Sequence, residues 1–363
     1  MGIELFVGMC LCALLVCAAE YRGAYITTWS AGFRTPEEID LTIEAAEAAG
    51  INALVVEVRK TGDAYYHSDI EPIAPEVPAG FDPLAYIIEK ARPKGIEVHA
   101  WLVVYRVWKG SETVDPKHIL ARHPEWKSLN YQGENEPEEG VYIDPGVPEY
   151  QEYFADLCAD IARRYDVDSI HYDYVRYPNQ NWGYCQIALD RYYAETGATQ
   201  RPEIDDVKWQ QWKRDQVTSL VRLTKERVKA ANPVVKIQAS TIPWGECPEN
   251  FEDSRAYKDC CQDWRMWMEK GLIDENCPMI YANESDQTSA AYFRKWVDGA
   301  ARWSYGRPVY VAIGAMRNTT EQLLTQIEVV RKAGLQGFVL FAFNQSEHRP
   351  QRAKELGEGL RSL

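Results

Sequence analysis

The sequence predicts an α/β fold built as a single (β/α)8 TIM barrel. Eight apolar, β-branched runs recur along the chain, and helical segments separate them. Several runs are nearly continuous, which is typical of parallel strands buried on both faces. No glycine-rich phosphate turn follows the first run, which disfavours a doubly wound nucleotide-binding sheet. The predicted strands are Gly23–Trp29, Ala53–Arg59, Glu97–Tyr105, Ser169–Tyr174, Val235–Thr241, Pro278–Tyr281, Val309–Ile313 and Gly337–Phe343.

The helices between these strands have recognisable ends. Thr35–Glu38 has the pattern of a capping box with proline at the first helical position, and Gly50 ends that helix. Asp82 and Pro83 begin the next helix, and Pro148 begins a third. Because every strand is followed by such a segment and no low-complexity linker interrupts them, we predict one domain.

An elongated loop is predicted after the third strand, from Val107 to Val147. Since it follows a strand, it should lie over the catalytic face of the barrel. We expect its glutamates to be a solvated acidic surface; they are Glu134, Glu136, Glu138 and Glu139.

The composition is that of a folded, acidic protein. The 363 residues carry 40 Lys and Arg against 54 Asp and Glu, a net charge of −14, and 46% are hydrophobic. Such a chain can bury a sizeable core, which excludes a disordered or fibrous protein. The excess of acidic over basic residues disfavours nucleic acid as a partner, because contacts with phosphate groups need a basic surface. Aromatic side chains beside carboxylates suit a carbohydrate.

The N-terminus predicts export to the periplasm or the extracellular space. Leu5–Ala19 is an almost unbroken apolar run that is too short to span a bilayer and ends in small residues, as a signal peptide does. We predict a signal peptide over residues 1–19 and the barrel over residues 20–363. The leader lacks Lys and Arg, so a buried N-terminal helix is the alternative. Lipid attachment at Cys17 is disfavoured by the bulk of Val16, and no later segment is apolar enough to cross a membrane.

Six cysteines follow the predicted leader, an even number that permits disulfides in an exported chain. Cys247 is close enough in sequence to Cys260 or Cys261 to close one loop. Cys158 lies on the apolar face of a helix and is expected as a buried free thiol. No Cys/His cluster has zinc spacing, so we predict no metal and no cofactor.

Polar and aromatic side chains accumulate where the predicted strands end, which is the catalytic face of such a barrel. No serine lies in a GxSxG pattern, so acyl transfer has little support. A glycosidic bond, in contrast, is hydrolysed by one protonated and one ionised carboxyl group. The residues expected to bind substrate are Arg59, Asp63, His99, Trp101, Tyr105, Arg106, His171, Tyr174, Arg176, Trp244, Tyr281 and Asn283.

Three carboxylates are the candidate catalysts. Asp173 lies near the end of the fourth predicted strand and is expected to be the nucleophile or base. Either Glu284, after the sixth strand, or Glu57, in the second, is expected to donate the proton. The structural alternative for Asp173 is an ion pair with Arg176 or Arg59.

Several fragments, in order, resemble the glycosyl-hydrolase-like 10 family. Asp166–Pro178, which contains Asp173, is similar to the family's fourth-strand signature, and the resemblance runs from about Arg22 to at least Phe343. It implies a TIM-barrel glycosidase that is exported in bacteria, and at least one branch of the family acts on peptidoglycan glycan strands. This chain has Glu57 where many members have Gln, and Val103-Val104 where Asn-Pro is usual. The other matching fragments are Val58-Arg59 with Gly62–Tyr65, His99–Trp101 with Tyr105-Arg106, His123–Trp126, Asp144–Gly146, Gln262–Trp264 and Pro278–Tyr281.

The leading hypothesis is an exported glycoside hydrolase that uses two carboxylates on a polysaccharide or oligosaccharide, such as peptidoglycan glycan or another amino-sugar polymer. The first alternative is a non-catalytic carbohydrate-binding barrel. The second is a metal-dependent hydrolase that uses His99, His171 and Asp173. The sequence leaves open the sugar, its linkage, the stereochemistry, and the oligomeric state.

Overall fold

A computed structural model of the protein describes residues 19–110, 115–135, 138–345 and 349–363. The predicted signal peptide, together with Cys17, therefore falls outside the described residues except for Ala19. Ten strands are found in the described part of the chain. They are β1 Tyr21–Ile26, β2 Ala53–Arg59, β3 Glu97–Val103, β4 Arg106–Trp108, β5 Val141–Tyr142, β6 Ser169–Asp173, β7 Lys236–Thr241, β8 Glu275–Pro278, β9 Tyr310–Gly314 and β10 Gly337–Phe341.

Eight of these strands form one parallel barrel, as the sequence predicts. Their order is β8-β7-β6-β3-β2-β1-β10-β9, and every neighbouring pair is parallel. Parallel bridges from Asn276 to Val309 and from Met279 to Ala312 join β8 to β9 and close the ring. The strand ends that carry the predicted site therefore meet at one opening.

The sixth barrel strand lies three residues earlier than predicted, at Glu275–Pro278 instead of Pro278–Tyr281. Its first residues, Glu275 and Asn276, are polar but buried. Glu275 accepts hydrogen bonds from Lys236 (2.8 Å) and Gln238 (3.1 Å), and Asn276 accepts one from Thr241 (2.7 Å). Because the neighbouring strand supplies these partners, the strand can begin with buried polar residues, and hydrophobicity does not mark it.

Helices pack around the outside of the barrel. At the start of α1 the Thr35 hydroxyl accepts a hydrogen bond from Glu38 N (3.3 Å), whereas the Glu38 carboxylate turns to the main chain of residues 32–34, so only half of the predicted capping box forms. Asp82 caps α2, and Gly50 ends α1 in the left-handed region (φ 68°). The helices are α1 Pro36–Ala49, α2 Pro83–Ala91, α3 Ile119–Arg122, α4 Pro148–Arg164, α5 Gln186–Thr196, α6 Val207–Ala231, α7 Arg255–Lys258, α8 Trp264–Glu269, α9 Gln287–Arg302, α10 Thr320–Lys332 and α11 Arg349–Ser362.

The elongated connection after β3 is confirmed. It contains the antiparallel pair β4–β5 and the short helix α3. Val107, Ile119 and Tyr142 from this connection are buried in the main core, so the segment is packed onto the barrel. It thereby forms a wall above the strand ends.

The loop-closing disulfide that the cysteine spacing permits is not formed. Cys247, Cys260 and Cys261 all have free thiols, as has Cys158, which is buried as expected. In the described part of the chain, no helix combines the length and the apolar character needed to cross a bilayer.

Candidate active site

A cavity of about 330 Å³ opens at the carboxyl ends of the barrel strands. Strands β1, β2, β3, β4, β6, β7 and β10 contribute its walls, together with the segments that follow β1, β4, β6, β7, β8 and β10. Its charged residues are Glu57, Arg106, Glu139, Asp173 and Arg176. Its aromatic residues are Tyr25, Trp29, Trp101, Tyr174, Trp244, Tyr281 and Phe341. The other residues that line it are Thr27, Ser240, Ile242, Met279 and Gln345.

Glu57 lies near the end of β2 and is almost completely buried (1% exposed). Its Oε2 accepts two hydrogen bonds from Thr28, one from the main-chain N–H (2.8 Å) and one from the hydroxyl (2.7 Å). Burial raises the pKa of Glu57 to about 7, although the Thr28 donors and the charges of Arg106 and Lys60 favour the ionised form. A carboxyl group with this pKa can hold a proton near neutral pH and release it during a reaction.

Asp173 is the last residue of β6 and lines the same cavity (8% exposed). Burial raises its pKa, and three groups oppose that effect: the Tyr174 N–H, which donates to Oδ1 at 2.7 Å, and the charges of Arg106 and Arg176. The Trp101 indole N–H also favours the ionised form, although its Nε1 has no acceptor within hydrogen-bond distance among the described residues. No ion pair of Asp173 is found there either. The purely structural ion-paired role that the sequence left open is therefore not observed.

Tyr174, directly after Asp173, adopts a left-handed backbone conformation (φ 52°). A residue with a Cβ pays roughly 1–2 kcal/mol for this conformation. The turn lets the Tyr174 N–H reach back to the Asp173 carboxylate (2.7 Å). Backbone strain of this kind often persists where a functional side chain must be held.

Two arginines face the cavity in different electrostatic settings. Arg176 pairs with Glu139 (3.0 Å) and lies over the rings of Tyr174 (4.8 Å) and Trp244 (5.0 Å). Arg106 lies over the Tyr174 ring (4.3 Å) and contacts its hydroxyl (3.3 Å), and within the described chain no carboxylate is close enough to form an ion pair with it. Its charge therefore acts on Glu57 and Asp173 together.

Glu139 corrects one expectation about the elongated loop. We predicted its glutamates to be solvated, yet Glu139 lines the cavity and accepts hydrogen bonds from Arg176 and from the Tyr142 hydroxyl (2.6 Å). Burial opposes its ionisation, but the Arg176 charge and hydrogen bond together with Tyr142 lower its pKa. Glu136 lies outside the described residues.

The aromatic wall offers stacking surfaces for sugar rings. Trp29 is half exposed (50%) at the cavity, and Trp244 is partly buried beside Arg176. Tyr281 and Phe341 stack on each other with ring centroids 4.9 Å apart. Aromatic faces of this kind pack against the apolar faces of sugars while nearby polar groups bind the hydroxyls.

Two residues predicted near the end of the sixth strand lie elsewhere. The Glu284 carboxylate is held by Arg294 (2.5 Å) and Gln326 (3.1 Å), and it does not line the cavity, so it does not face Asp173. The Asn283 side chain accepts a hydrogen bond from Ser285 N (2.9 Å) and is likewise absent from the lining. Both residues stabilise the loop between β8 and α9.

Three more predicted substrate-binding residues have structural partners away from the cavity. Arg59 is fully buried and forms an ion pair with Glu71 (2.7 Å). Asp63 accepts a hydrogen bond from Thr61 N (2.8 Å) within its own turn. The Tyr105 ring is buried in the core, 5.8 Å from that of Tyr150.

The two barrel histidines also lie beneath the cavity. His99 contacts Ser169 (2.6 Å) inside the barrel. His171 contacts Gln238 (2.6 Å) and Ser240 (2.8 Å), and burial lowers its pKa to about 3, which keeps it neutral. Neither histidine lines the cavity with Asp173, and no cluster of three metal-ligating side chains is found in the described ranges. His99, His171 and Asp173 therefore do not form the metal site that the metal-dependent hypothesis requires.

Predicted residues that do line the cavity are Glu57, Trp101, Arg106, Asp173, Tyr174, Arg176, Trp244 and Tyr281. Sequence reasoning missed Trp29 and Glu139 as members of the site. Trp29 ends the first predicted strand, so the strand-end rule could have found it. Glu139 could not be found that way, because its partner Arg176 lies 37 residues further along the chain.

Comparisons with known proteins agree with this architecture. The chain is 29% identical over 288 residues to the glycosyl hydrolase YngK of Bacillus subtilis, which covers 75% of this chain and 54% of that protein. It is 24% identical over 264 residues to the glycosyl hydrolase DigH of Escherichia coli K12, covering 66% and 56%. The chain thus spans about half the length of these curated relatives.

Solved structures show the same fold. The PgaB (BpsB) glycoside hydrolase domain from Bordetella bronchiseptica aligns with a TM-score of 0.67 at 15% identity, over 92% of this chain and 97% of that one. An α-L-fucosidase from Paenibacillus thiaminolyticus aligns with a TM-score of 0.68 at 15% identity, over 94% and 49%. The family model described as glycosyl hydrolase-like 10 matches residues 20–324, and the chain belongs to that family.

Proposed function

We propose that the chain hydrolyses O-glycosidic bonds in a polysaccharide or oligosaccharide, with Glu57 and Asp173 as its two carboxylates. The observation that carries this proposal is that both side chains, from strands β2 and β6, line one aromatic cavity at the catalytic face of the barrel. Membership of a glycosyl hydrolase-like family and the glycosidase names of its relatives support it.

The environments of the two carboxylates suggest different roles. Glu57, with its pKa of about 7, would transfer its proton to the glycosidic oxygen as the bond to the anomeric carbon breaks. Asp173, near two guanidinium groups, would act in its ionised form, either by attacking the anomeric carbon or by taking a proton from the attacking water. Trp29 and Trp244 would stack on the sugar rings.

The substrate class that we propose is an amino-sugar polymer, with peptidoglycan glycan as the first candidate. It rests on the resemblance to a family with a peptidoglycan-acting branch. The mixed lining of aromatic rings, arginines and carboxylates suits a polar sugar.

A panel of glycans tests the proposal. The purified protein is incubated with chitin oligosaccharides, deacetylated glucosamine polymer, peptidoglycan glycan strands and neutral β-glucans, and released reducing ends are measured. We expect turnover on one class, and a loss of at least about a thousandfold in Asp173→Asn with the fold intact. The matched control Glu284→Gln, outside the cavity, should retain activity. Binding without hydrolysis would instead favour the non-catalytic carbohydrate-binding barrel.

We also propose that the protein is exported, with residues 1–19 as the leader, on the strength of the apolar run Leu5–Ala19. Mass spectrometry of the protein expressed with this segment should show a mature chain beginning at Glu20. An unprocessed chain that stays in the cytoplasm would contradict export.

A further inference from the structure

Thr28 makes two contacts with a single oxygen of Glu57. Its main-chain N–H and its hydroxyl both donate to Oε2, at 2.8 and 2.7 Å. Among the residues that the structure describes, no donor contacts Oε1, and Glu57 itself lines the cavity. The two oxygens of the carboxyl group are therefore not equivalent.

This asymmetry decides where a proton can sit. An oxygen that already accepts two hydrogen bonds has little capacity left to bind a proton, whereas the unbonded oxygen retains it. The same two donors stabilise the carboxylate once the proton has left, because hydrogen bonds to an ionised acceptor are stronger than those to a neutral one. When Glu57 is protonated, the two Thr28 donors therefore leave Oε1 as the oxygen that carries the proton.

The peptide that presents Thr28 is itself held in place. The Thr27 carbonyl belongs to the same peptide unit as the Thr28 N–H, and Asn344 donates to that carbonyl (2.8 Å). Asn344 also accepts a hydrogen bond from Thr27 N (3.1 Å). Residues that follow β10 therefore orient the donor at the end of β1.

We propose that Thr28 is a positioning residue that holds Oε2 of Glu57, so that the acidic proton is carried on Oε1 and presented to the glycosidic oxygen in the cavity. During the reaction the proton passes from Oε1 to the glycosidic oxygen as the bond between that oxygen and the anomeric carbon breaks, and the leaving saccharide departs as an alcohol. The anomeric carbon forms its new bond to the Asp173 carboxylate or to the water that Asp173 deprotonates. The two Thr28 donors then stabilise the negative charge that is left on the Glu57 carboxylate. This inference rests on the proposed function, because it assigns Glu57 the role of proton donor.

The first measurement needs no substrate. Infrared difference spectroscopy across a pH titration follows the carbonyl stretch of a buried protonated carboxyl group, and Glu57→Gln identifies the band because that variant lacks it. Thr28→Val removes one donor to the anion, and we expect the pKa of Glu57 to rise by about one pH unit. Thr28→Ser keeps the hydroxyl, so the pKa of Glu57 that the band reports should stay within a few tenths of a unit of the wild-type value. Should the valine variant fail to fold, Thr28→Ala removes the same donor without the extra methyl.

The second measurement uses the pH–rate profile on peptidoglycan glycan strands and chitin oligosaccharides. In Thr28→Val the basic limb should move up by about one pH unit, and kcat should fall about tenfold while KM stays within about twofold. Thr28→Ser should restore both. The control Thr224→Val removes a buried hydroxyl from α6 that does not line the cavity, and it should change neither the basic limb nor kcat.

The two proposals fail in different ways. If the Glu57 band titrates at the same pH in Thr28→Val as in wild type, the role of Thr28 is refuted. If Glu57→Gln is inactive at the same time, the hydrolase proposal still stands. A shifted band in a protein that hydrolyses no glycan would support the geometry and refute the function.

Discussion

The buried charge of Glu57 gives the proposed site a measurable cost in stability. Glu57 is 1% exposed, and burial raises its pKa to about 7 from an ordinary value of 4.5. The substitution Glu57→Gln replaces the ionisable group with a neutral one of the same shape. The Thr28 donors can still reach the amide oxygen of the glutamine, so the variant isolates the effect of the charge.

The magnitude follows from the two pKa values. Below pH 4.5 the carboxyl group is protonated in both the folded and the unfolded chain, so it costs nothing there. Between pH 4.5 and about 7 the unfolded chain releases the proton while the folded chain keeps it, so stability falls as pH rises. The full difference is about 3 kcal/mol, at about 1.4 kcal/mol per pH unit, and about 2.5 kcal/mol of it develops between pH 5 and pH 8.

Urea unfolding of wild type and Glu57→Gln at pH 5 and pH 8 measures this difference. We expect the free energy of unfolding of the variant, relative to wild type, to increase by about 2.5 kcal/mol from pH 5 to pH 8. The matched control Glu284→Gln removes a carboxylate that is paired with Arg294 (2.5 Å), and it should give no such gain.

A relative stability of Glu57→Gln that does not change with pH would refute the argument, because Glu57 would then ionise as an ordinary carboxyl group does. The catalytic consequence is linked to the same value. The wild-type rate should fall about tenfold for each pH unit above 7, whereas a flat profile from pH 6 to pH 9 would remove Glu57 as the proton donor.

Three further substitutions test other parts of the site. Arg106→Met removes a charge that lowers the pKa of both Glu57 and Asp173, so both limbs of the pH–rate profile should move to higher pH. If only one limb moves, Arg106 acts on a single carboxylate. Arg59→Met leaves Glu71 buried and unpaired and should lower the free energy of unfolding by about 3–5 kcal/mol, with no change in KM if the role of Arg59 is structural. Trp29→Ala should raise the Kd for glycan oligosaccharides roughly fivefold to tenfold without loss of Tm, since the side chain is half exposed; unchanged binding by calorimetry would exclude it from the site.

The barrel could be predicted from the sequence because its strands are apolar on both faces and repeat between helices. The strand whose prediction overlaps least with the structure, β8, begins with the polar residues Glu275 and Asn276. Their partners Lys236, Gln238 and Thr241 lie on the neighbouring strand β7. Such cross-strand partners are not visible in a local pattern, so hydrophobicity alone missed this strand.

The sequence predicts which side chains line the cavity where their position along a strand sets their direction. It fails for side chains whose direction depends on a partner distant in sequence. Asp173 and Glu57 belong to barrel strands and line the cavity. Glu284 belongs to a loop, and Asn318 accepts a hydrogen bond from its main-chain N–H (2.8 Å) while Arg294 holds its carboxylate. Its orientation depends on a residue ten positions ahead and on another 34 positions ahead.

The proposed division of roles between Glu57 and Asp173 rests on the charges and donors around each carboxylate. Arg106 acts on both, so it cannot distinguish them. Asp173 has the additional charge of Arg176, whereas the second cation that acts on Glu57, Lys60, is already paired with Glu76 (2.9 Å).

The contacts of Glu57 at short range are the neutral donors of Thr28, which can hold a protonated carboxyl group in place as well as an ionised one. The two carboxyl groups of one cavity therefore have different surroundings, and such a difference is what separates the acid from the base in acid-assisted glycoside cleavage.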